Sequence, residues 1–165
     1  MKVGSKETKQ VGPEYHASVS FRAPLDFVFA WCTDYTPEDA GLENEKYERK
    51  VIERTPRRVI FEDLEETKSG WVWSRDDVSL RPPNRWSTDG VGNRRDYHAD
   101  YVLSRLSDGR TRLDLRWKRS PKVAEEKKLT KAEREASSTQ AWKLFAAALE
   151  RDYKRTRPSR RKGTK

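Results

Sequence analysis

The stretch that decides the fold is Tyr97–Lys118, which reads YHADYVLSRLSDGRTRLDLRWK. Tyr97, Ala99, Tyr101 and Leu103 place apolar residues at every second position, and apolar and polar residues alternate from Leu113 to Trp117. A period of two indicates a strand with one buried face. The SDG between the two halves is a turn signal and is too short for a parallel crossover. The stretch therefore predicts two antiparallel strands joined by a tight turn.

The same kind of pattern extends towards the N-terminus. Between residues 47 and 118, six strand-like runs are separated by the turn signals TPR, KSG, RPPN, GVGN and SDG. Connections this short join antiparallel neighbours, so they predict a six-stranded meander. Residues 15–22, YHASVSFR, alternate as well and add a seventh strand. The segment 25–32, LDFVFAWC, has apolar residues at helical spacing and predicts a short helix after that strand.

A long helix is predicted at the C-terminus. Thr130 and Glu133 form a capping box that begins it, and Pro158 indicates that it ends near Arg155. Its apolar face is uneven, because large side chains occupy the C-terminal half whereas small or charged ones occupy the same face further back. We therefore expect the N-terminal half of the helix to stand away from the sheet and leave a hollow near Ser138.

Composition and charge limit the classes of function. The chain has 165 residues and a net charge of +9, of which residues 1–10 carry +2 and residues 151–165 carry +7. The stretch 11–150 is thus neutral, whereas a nucleic-acid-binding domain shows a basic face on its folded part. The sequence has no run of about 18 apolar residues, so no membrane span is predicted. A single Cys and no apolar leader predict a cytoplasmic protein.

Three segments are predicted along the chain. Residues 1–13 form a flexible N-terminal segment, residues 14–155 form one domain, and residues 156–165 form a disordered basic tail. The basic residues of 151–165 either bind an anionic partner, which is a nucleic acid or a membrane surface, or only solubilise the end of the chain.

The order of strand, short helix, antiparallel strands and long C-terminal helix resembles the START-like (SRPBCC) helix-grip superfamily, which includes polyketide cyclases and lipid-transfer domains. The segments RAPLDFVFAWCTD, VSLRPPNRW and YVLSRLSDGRTRLDLRW are similar to that family over roughly residues 14–155. The resemblance implies an α+β fold in which a curved sheet of about seven strands wraps around the long helix. It also implies a cavity for a hydrophobic ligand between the sheet and the helix.

The candidate pocket residues are aromatic, small or charged side chains expected to face that cavity, namely Trp73, Arg75, Tyr101, Trp117, Glu135, Ser138, Trp142 and Phe145. For each aromatic residue, the alternative is an ordinary place in the core. His98 and Asp100 share the polar face of their strand and are expected to point to solvent. Two His, one Cys and no ligand cluster argue against a zinc site, and no cofactor is expected.

One strand has a conflict in its alternation. Trp71 and Trp73 occupy odd positions, whereas Val78 and Leu80 occupy even ones. A β-bulge within residues 74–77 would bring both pairs to one face. With such a bulge, the direction of the charged side chains in this region and in the flanking elements stays open. They face either the cavity or solvent, and they are Asp63, Arg75, Asp77 and Glu135.

The sequence therefore favours binding or transport of a small hydrophobic or amphipathic ligand. The first alternative is a cyclase- or dehydratase-like enzyme on the same scaffold, with catalytic residues that the sequence does not identify. The second is an accessory protein that docks on nucleic acid through its basic tail.

Overall fold

The computed structural model of the chain describes residues 12–42, 46–124 and 128–156. Most of the predicted segments 1–13 and 156–165 lies outside these residues. The described part contains seven strands and three helices, namely β1 Tyr15–Phe21, α1 Leu25–Cys32, α2 Asp39–Leu42, β2 Glu48–Thr55, β3 Arg58–Thr67, β4 Gly70–Arg81, β5 Arg85–Gly92, β6 Arg95–Arg105, β7 Thr111–Pro121 and α3 Lys131–Thr156.

The strands form one antiparallel sheet in the order β1-β7-β6-β5-β4-β3-β2. β2 to β7 are the predicted meander, and β1 adds to its far edge by pairing with β7. The sheet is curved and unclosed, and α3 lies against its concave face. The predicted α+β helix-grip architecture is confirmed, and so is the short helix α1 after the first strand. No helix in the described part of the chain combines the length and apolarity that crossing a bilayer requires.

The core lies where α1 and α3 meet the middle of the sheet. Its fully buried side chains are large and apolar with one exception, namely Phe21, Val28, Val59, Val78, Leu103, Leu113, Leu149 and Thr111. The capping box of α3 is present, since the Thr130 N–H donates to Oε2 of Glu133 at 2.9 Å and the Glu133 N–H donates to Oγ1 of Thr130 at 3.2 Å. The predicted start of α3 is confirmed.

Two glutamates of α3 cover the free edge of β1. The backbone N–H of His16 donates to Glu135 at 2.8 Å, and that of Arg22 donates to Glu150 at 2.9 Å. The two glutamates are separated by 15 helical residues and the two N–H groups by six strand residues, and both separations are roughly 20 Å. Unpaired N–H groups on an edge strand invite pairing with another chain. Glu135 and Glu150 therefore seal this edge.

The expected β-bulge in β4 is absent. β4 pairs in unbroken register with β3 and with β5 throughout residues 74–77, and the register shift lies in β2 instead, between Val51 and Glu53. The tryptophans that suggested the bulge lie on the convex face, where Trp71 is 56% exposed and Trp73 is 36% exposed. The prediction was wrong because it assumed that the large apolar residues of β4 face inwards.

Candidate functional site

A cavity of about 380 Å³ lies between the concave face of the sheet and the helices. Strands β2, β3, β4 and β6 form one wall, and residues of α1, α2 and α3 complete the lining. This volume falls within the range of about 300–1,000 Å³ that is typical of small-molecule sites. The cavity is partly open to solvent, and its volume can accommodate a molecule of two or three fused rings.

The helix side of the cavity is aromatic. Trp142 packs against Phe145 with ring centroids 5.2 Å apart and against Tyr101 at 6.1 Å. Trp31 meets Phe145 edge-on at 6.2 Å, and its indole N–H donates to Asp152 at 2.9 Å. Tilted and edge-on arrangements are the favoured geometries of aromatic pairs. These contacts fix a rigid apolar wall before any ligand enters.

A buried carboxylate lies on the sheet side. Asp76 of β4 is only 4% exposed, and the Tyr97 hydroxyl donates to its Oδ1 at 2.6 Å. Burial raises the pKa of Asp76 from 3.8 to about 6, although the hydrogen bond from Tyr97 acts in the opposite direction. No lysine or arginine within the described ranges forms an ion pair with this carboxylate. Asp76 is thus an anion at neutral pH that lacks a cationic partner.

Gly90 makes this arrangement possible. It lies on β5 directly between Asp76 of β4 and Tyr97 of β6 in the strand register. A β-carbon at this position would lie 2.1 Å from Cε1 of Tyr97 and 2.7 Å from Oδ1 of Asp76. Glycine inside a strand weakens the strand but allows close approach by a neighbouring group. The missing side chain therefore gives the tyrosine ring its place across β5.

A second polar group in the cavity is a closed ion-pair network. Arg49, whose side chain is 8% exposed, donates to Asp39 at 2.7 Å and to both oxygens of Asp63 at 2.8 and 2.9 Å. Its guanidinium also lies 4.1 Å from the ring centroid of Phe61. Burial alone would lower the pKa of Arg49, but the hydrogen bonds and charge of Asp63 raise it. The arginine remains charged and is already neutralised by its two carboxylates.

Other titratable groups near the cavity show the same effect of burial. Burial raises the pKa of the Cys32 thiol and of the Tyr35 phenol far above their ordinary values. It also raises the pKa of Asp34 to about 6, with a further contribution from the charge of Asp39. A nucleophilic cysteine requires a lowered pKa. Cys32 is therefore a protonated wall residue and not a nucleophile.

A smaller groove of about 190 Å³ lies on the other side of Trp142, between α3 and strands β6 and β7. Ser138 and Trp117 line this groove, and Tyr97, Tyr101 and Trp142 line both spaces. The hollow that was expected near Ser138 corresponds to this groove. The larger cavity lies beyond the Tyr101–Trp142 contact, towards α1.

The structure separates the eight candidate pocket residues. Tyr101, Trp142 and Phe145 line the larger cavity, and Trp73 lies at its border. Trp117 and Ser138 line the groove, together with three residues of the cavity wall. The two charged candidates line neither space, since Arg75 is exposed on the convex face and Glu135 seals the edge of β1. That these eight residues bind a ligand stays a prediction.

The other charged candidates are also divided between the two faces. Asp77 lies on the convex face, where Arg58 donates to its two oxygens at 2.9 and 2.6 Å. His98 is on the same face, between Asp89 at 2.6 Å and Asp100 at 3.0 Å. Asp63 faces the cavity and binds Arg49. Within the described residues, no group of three or more metal-ligating side chains could hold a metal ion.

Sequence reasoning missed Arg49, Asp76 and Gly90. Arg49 stands in a strand that is rich in charged residues, where nothing sets it apart from outward-facing neighbours. Asp76 lies next to Asp77, and only the strand register shows which carboxylate faces inwards. Gly90 is the first residue of the predicted turn signal GVGN. A glycine with strand residues on both sides would have signalled close approach of a neighbouring group.

The comparisons with known proteins agree with this architecture. No family model matches the sequence, and no curated protein is significantly similar to it. The structure is similar to the Zhui aromatase/cyclase from Streptomyces sp. R1128, with a TM-score of 0.64 and 14% identity over 87% of this chain and 94% of that one. It is similar to a START superfamily protein from Mycobacterium smegmatis, with a TM-score of 0.64 and 14% identity over 88% of this chain and 100% of that one.

A third similar structure is the di-domain ARO/CYC StfQ from the steffimycin biosynthetic pathway. Here the TM-score is 0.58 and the identity is 11%, and the match covers 87% of this chain and 45% of the di-domain protein. Similarity at these identities concerns the fold. The resemblance predicted from the sequence is confirmed at that level, and the chain has the START-like helix-grip fold.

Proposed function

We propose that this chain binds a small, largely apolar molecule with a polar end in the cavity between the sheet and α3. The observation that carries the proposal is the cavity itself, which combines a rigid aromatic wall with the buried carboxylate of Asp76. Ligand sites are typically apolar spaces with a few polar groups that orient the guest. The START superfamily protein among the similar structures supports the same proposal.

A cavity-filling substitution tests the proposal. Val72 of β4 lines the cavity, whereas Val91 of β5 lies on the convex face and is 51% exposed. We expect Val72→Trp to occupy the space and abolish binding of an uncharged naphthalene dye such as prodan, measured by the blue shift of its emission. Val91→Trp is the matched control and should bind the dye as the wild type does.

Native mass spectrometry of the purified protein provides an independent measurement. A co-purifying molecule that is lost in Val72→Trp and retained in Val91→Trp would identify the natural class of ligand. Absence of dye binding to the wild-type protein, or equal binding by both variants, would contradict the proposal.

An enzymatic function on the same scaffold is the second candidate, and the Asp76–Tyr97 pair is the observation that favours it. A carboxyl group with a pKa of about 6 can both accept and return a proton near neutral pH. Two of the similar structures are aromatase/cyclases. In a cyclase- or dehydratase-like reaction, Asp76 would remove a proton from the ligand and return it to a departing hydroxyl group.

Substitution at the hydroxyl donor separates the enzyme from the carrier. Tyr97→Phe removes the hydrogen bond to Asp76 and keeps the ring over Gly90. If the protein is an enzyme, turnover of a polyketide-like substrate should fall by roughly tenfold or more while dye binding persists. A carrier should show no turnover in either form.

A further inference from the structure

We infer that the ligand of this cavity ends in a positively charged hydrogen-bond donor, a protonated amine, which binds the Asp76 carboxylate while the aromatic walls hold its apolar part. This inference deepens the proposed function and rests on it. It follows from the distribution of charge inside the cavity, from the aromatic surfaces around it and from the geometry of Asp76.

The side chains that line the cavity carry one more negative charge than positive charges. They comprise four carboxylates and three arginines, namely Asp39, Asp63, Glu65, Asp76, Arg49, Arg94 and Arg95. Glu65, Arg94 and Arg95 lie towards the β3–β4 and β5–β6 turns. Of the three aspartates, two share Arg49. The third carboxylate is left to attract a cation from the ligand.

Asp76 has the hydrogen-bonding capacity for such a guest. An ionised carboxylate offers about four lone-pair sites, and Tyr97 uses one of them in the described structure. A buried charge without a partner is destabilising unless another group compensates it. An ammonium group seated on Asp76 would supply both a counter-charge and hydrogen-bond donors.

An anionic ligand would meet the opposite conditions. The guanidinium of Arg49 donates from Nε and Nη2 to Asp63 and from Nη1 to Asp39. It therefore has little donor capacity left for a ligand carboxylate. Such a group would also lie in the field of the unpaired Asp76. The part of the cavity around Arg49 and Asp76 is thus unsuited to the acidic end of a ligand.

The aromatic rings beside the polar wall already hold one cation, Arg49. Arg49 already lies over the ring of Phe61 at 4.1 Å, and its distance to the ring centroid of Tyr35 is 5.9 Å. Tyr35 and Phe61 stack on each other at 5.0 Å. A cation within about 6 Å of an aromatic face is stabilised by the ring quadrupole. These rings therefore stabilise Arg49, and the cation of the ligand would take its counter-charge from Asp76.

Three matched probes test the charge of the ligand. Naphthylethylamine, ethylnaphthalene and naphthylacetate share one ring system and differ in carrying a positive, no or a negative charge. Affinities are measured by isothermal titration calorimetry at slightly alkaline pH for the wild type, Asp76→Asn and Asp77→Asn. Asp77 is the adjacent carboxylate on the convex face and provides the control.

We expect the amine to bind the wild type roughly tenfold to a hundredfold more tightly than ethylnaphthalene, and naphthylacetate to bind most weakly. Asp76→Asn should abolish the preference for the amine while ethylnaphthalene still binds, which also shows that this variant is folded. Asp77→Asn should keep the wild-type order.

The results that overturn the inference differ from those that overturn the proposed function. Equal affinity for the amine and ethylnaphthalene, tightest binding of naphthylacetate, or an amine preference that persists in Asp76→Asn would refute the amine ligand and leave an apolar binding site. If none of the three probes binds the wild type, both the inference and the proposed function fail.

Discussion

Replacing Asp76 by Asn should stabilise the folded protein, and the gain should depend on pH. In the folded state the pKa of Asp76 is raised to about 6 from 3.8 by burial, in the presence of Tyr97, Asp63 and Arg49. A carboxyl group with a raised pKa binds its proton more tightly in the folded than in the unfolded chain. Asp76 therefore does not lower the free energy of unfolding below pH 3.8, where it is protonated in both states. The free energy of unfolding falls as the pH rises through about 6 and the folded protein loses this proton.

The magnitude follows from the proton affinity. The folded state binds the Asp76 proton about a hundredfold more tightly, and each factor of ten corresponds to about 1.4 kcal/mol. Ionised Asp76 thus lowers the free energy of unfolding by about 3 kcal/mol at alkaline pH. Asn has the same shape and its amide oxygen can accept the Tyr97 hydrogen bond. Asp76→Asn should recover most of that free energy.

Urea denaturation followed by tryptophan fluorescence at about pH 5 and about pH 8 measures the effect. The gain of Asp76→Asn over the wild type should be larger at the higher pH. Asp77→Asn should show the opposite sign, because the hydrogen bond from Arg58 lowers the pKa of Asp77. Loss of that half-exposed pair should cost under about 1 kcal/mol, mainly at the higher pH. A gain for Asp76→Asn that is absent or independent of pH would refute the reasoning.

Two further pairs of substitutions test the packing and the ion pairs of the cavity. Gly90→Ala should destabilise the protein by roughly 1–3 kcal/mol and weaken dye binding, because the new methyl group displaces the ring that lies across β5; Gly41→Ala, with no atom within 4 Å of the new methyl, should be close to neutral in the same urea titration. Arg49→Met should cost about 3–5 kcal/mol because it leaves two carboxylates without their cation, whereas Arg58→Met, at an exposed pair, should cost under about 1 kcal/mol. Similar losses within either pair would contradict the corresponding argument.

The fold was predictable because its signals are local and repeated. The alternation from Tyr97 to Leu103 places one side chain in two on the concave face, and the structure has these residues there. Turn signals at short intervals permit antiparallel neighbours, so the sheet order follows from chain order apart from β1. Thr130 and Glu133 satisfy backbone N–H groups at the start of α3, which a sequence shows directly.

The polar wall of the site was not predictable by the same reasoning. Periodicity assigns apolar residues to the inside, but two of the three inward positions of β4 at the cavity are the polar Ser74 and Asp76, and Trp71 faces out. The assumption failed where the protein departs from an ordinary core. Arg49 and Asp63 meet across β2 and β3, 14 residues apart, and only the register of the two strands reveals the pair.

The features that reduce stability all meet at one place. A buried carboxylate without a cation, a glycine inside a strand and an unfilled cavity each lower the free energy of unfolding, and a leucine at position 76 would remedy two of them. A guest present at about a hundred times its dissociation constant adds about 2.7 kcal/mol to the stability of the folded state. That gain matches the cost of ionised Asp76. An amine guest should therefore stabilise the protein most above about pH 6, where the carboxylate it binds is charged.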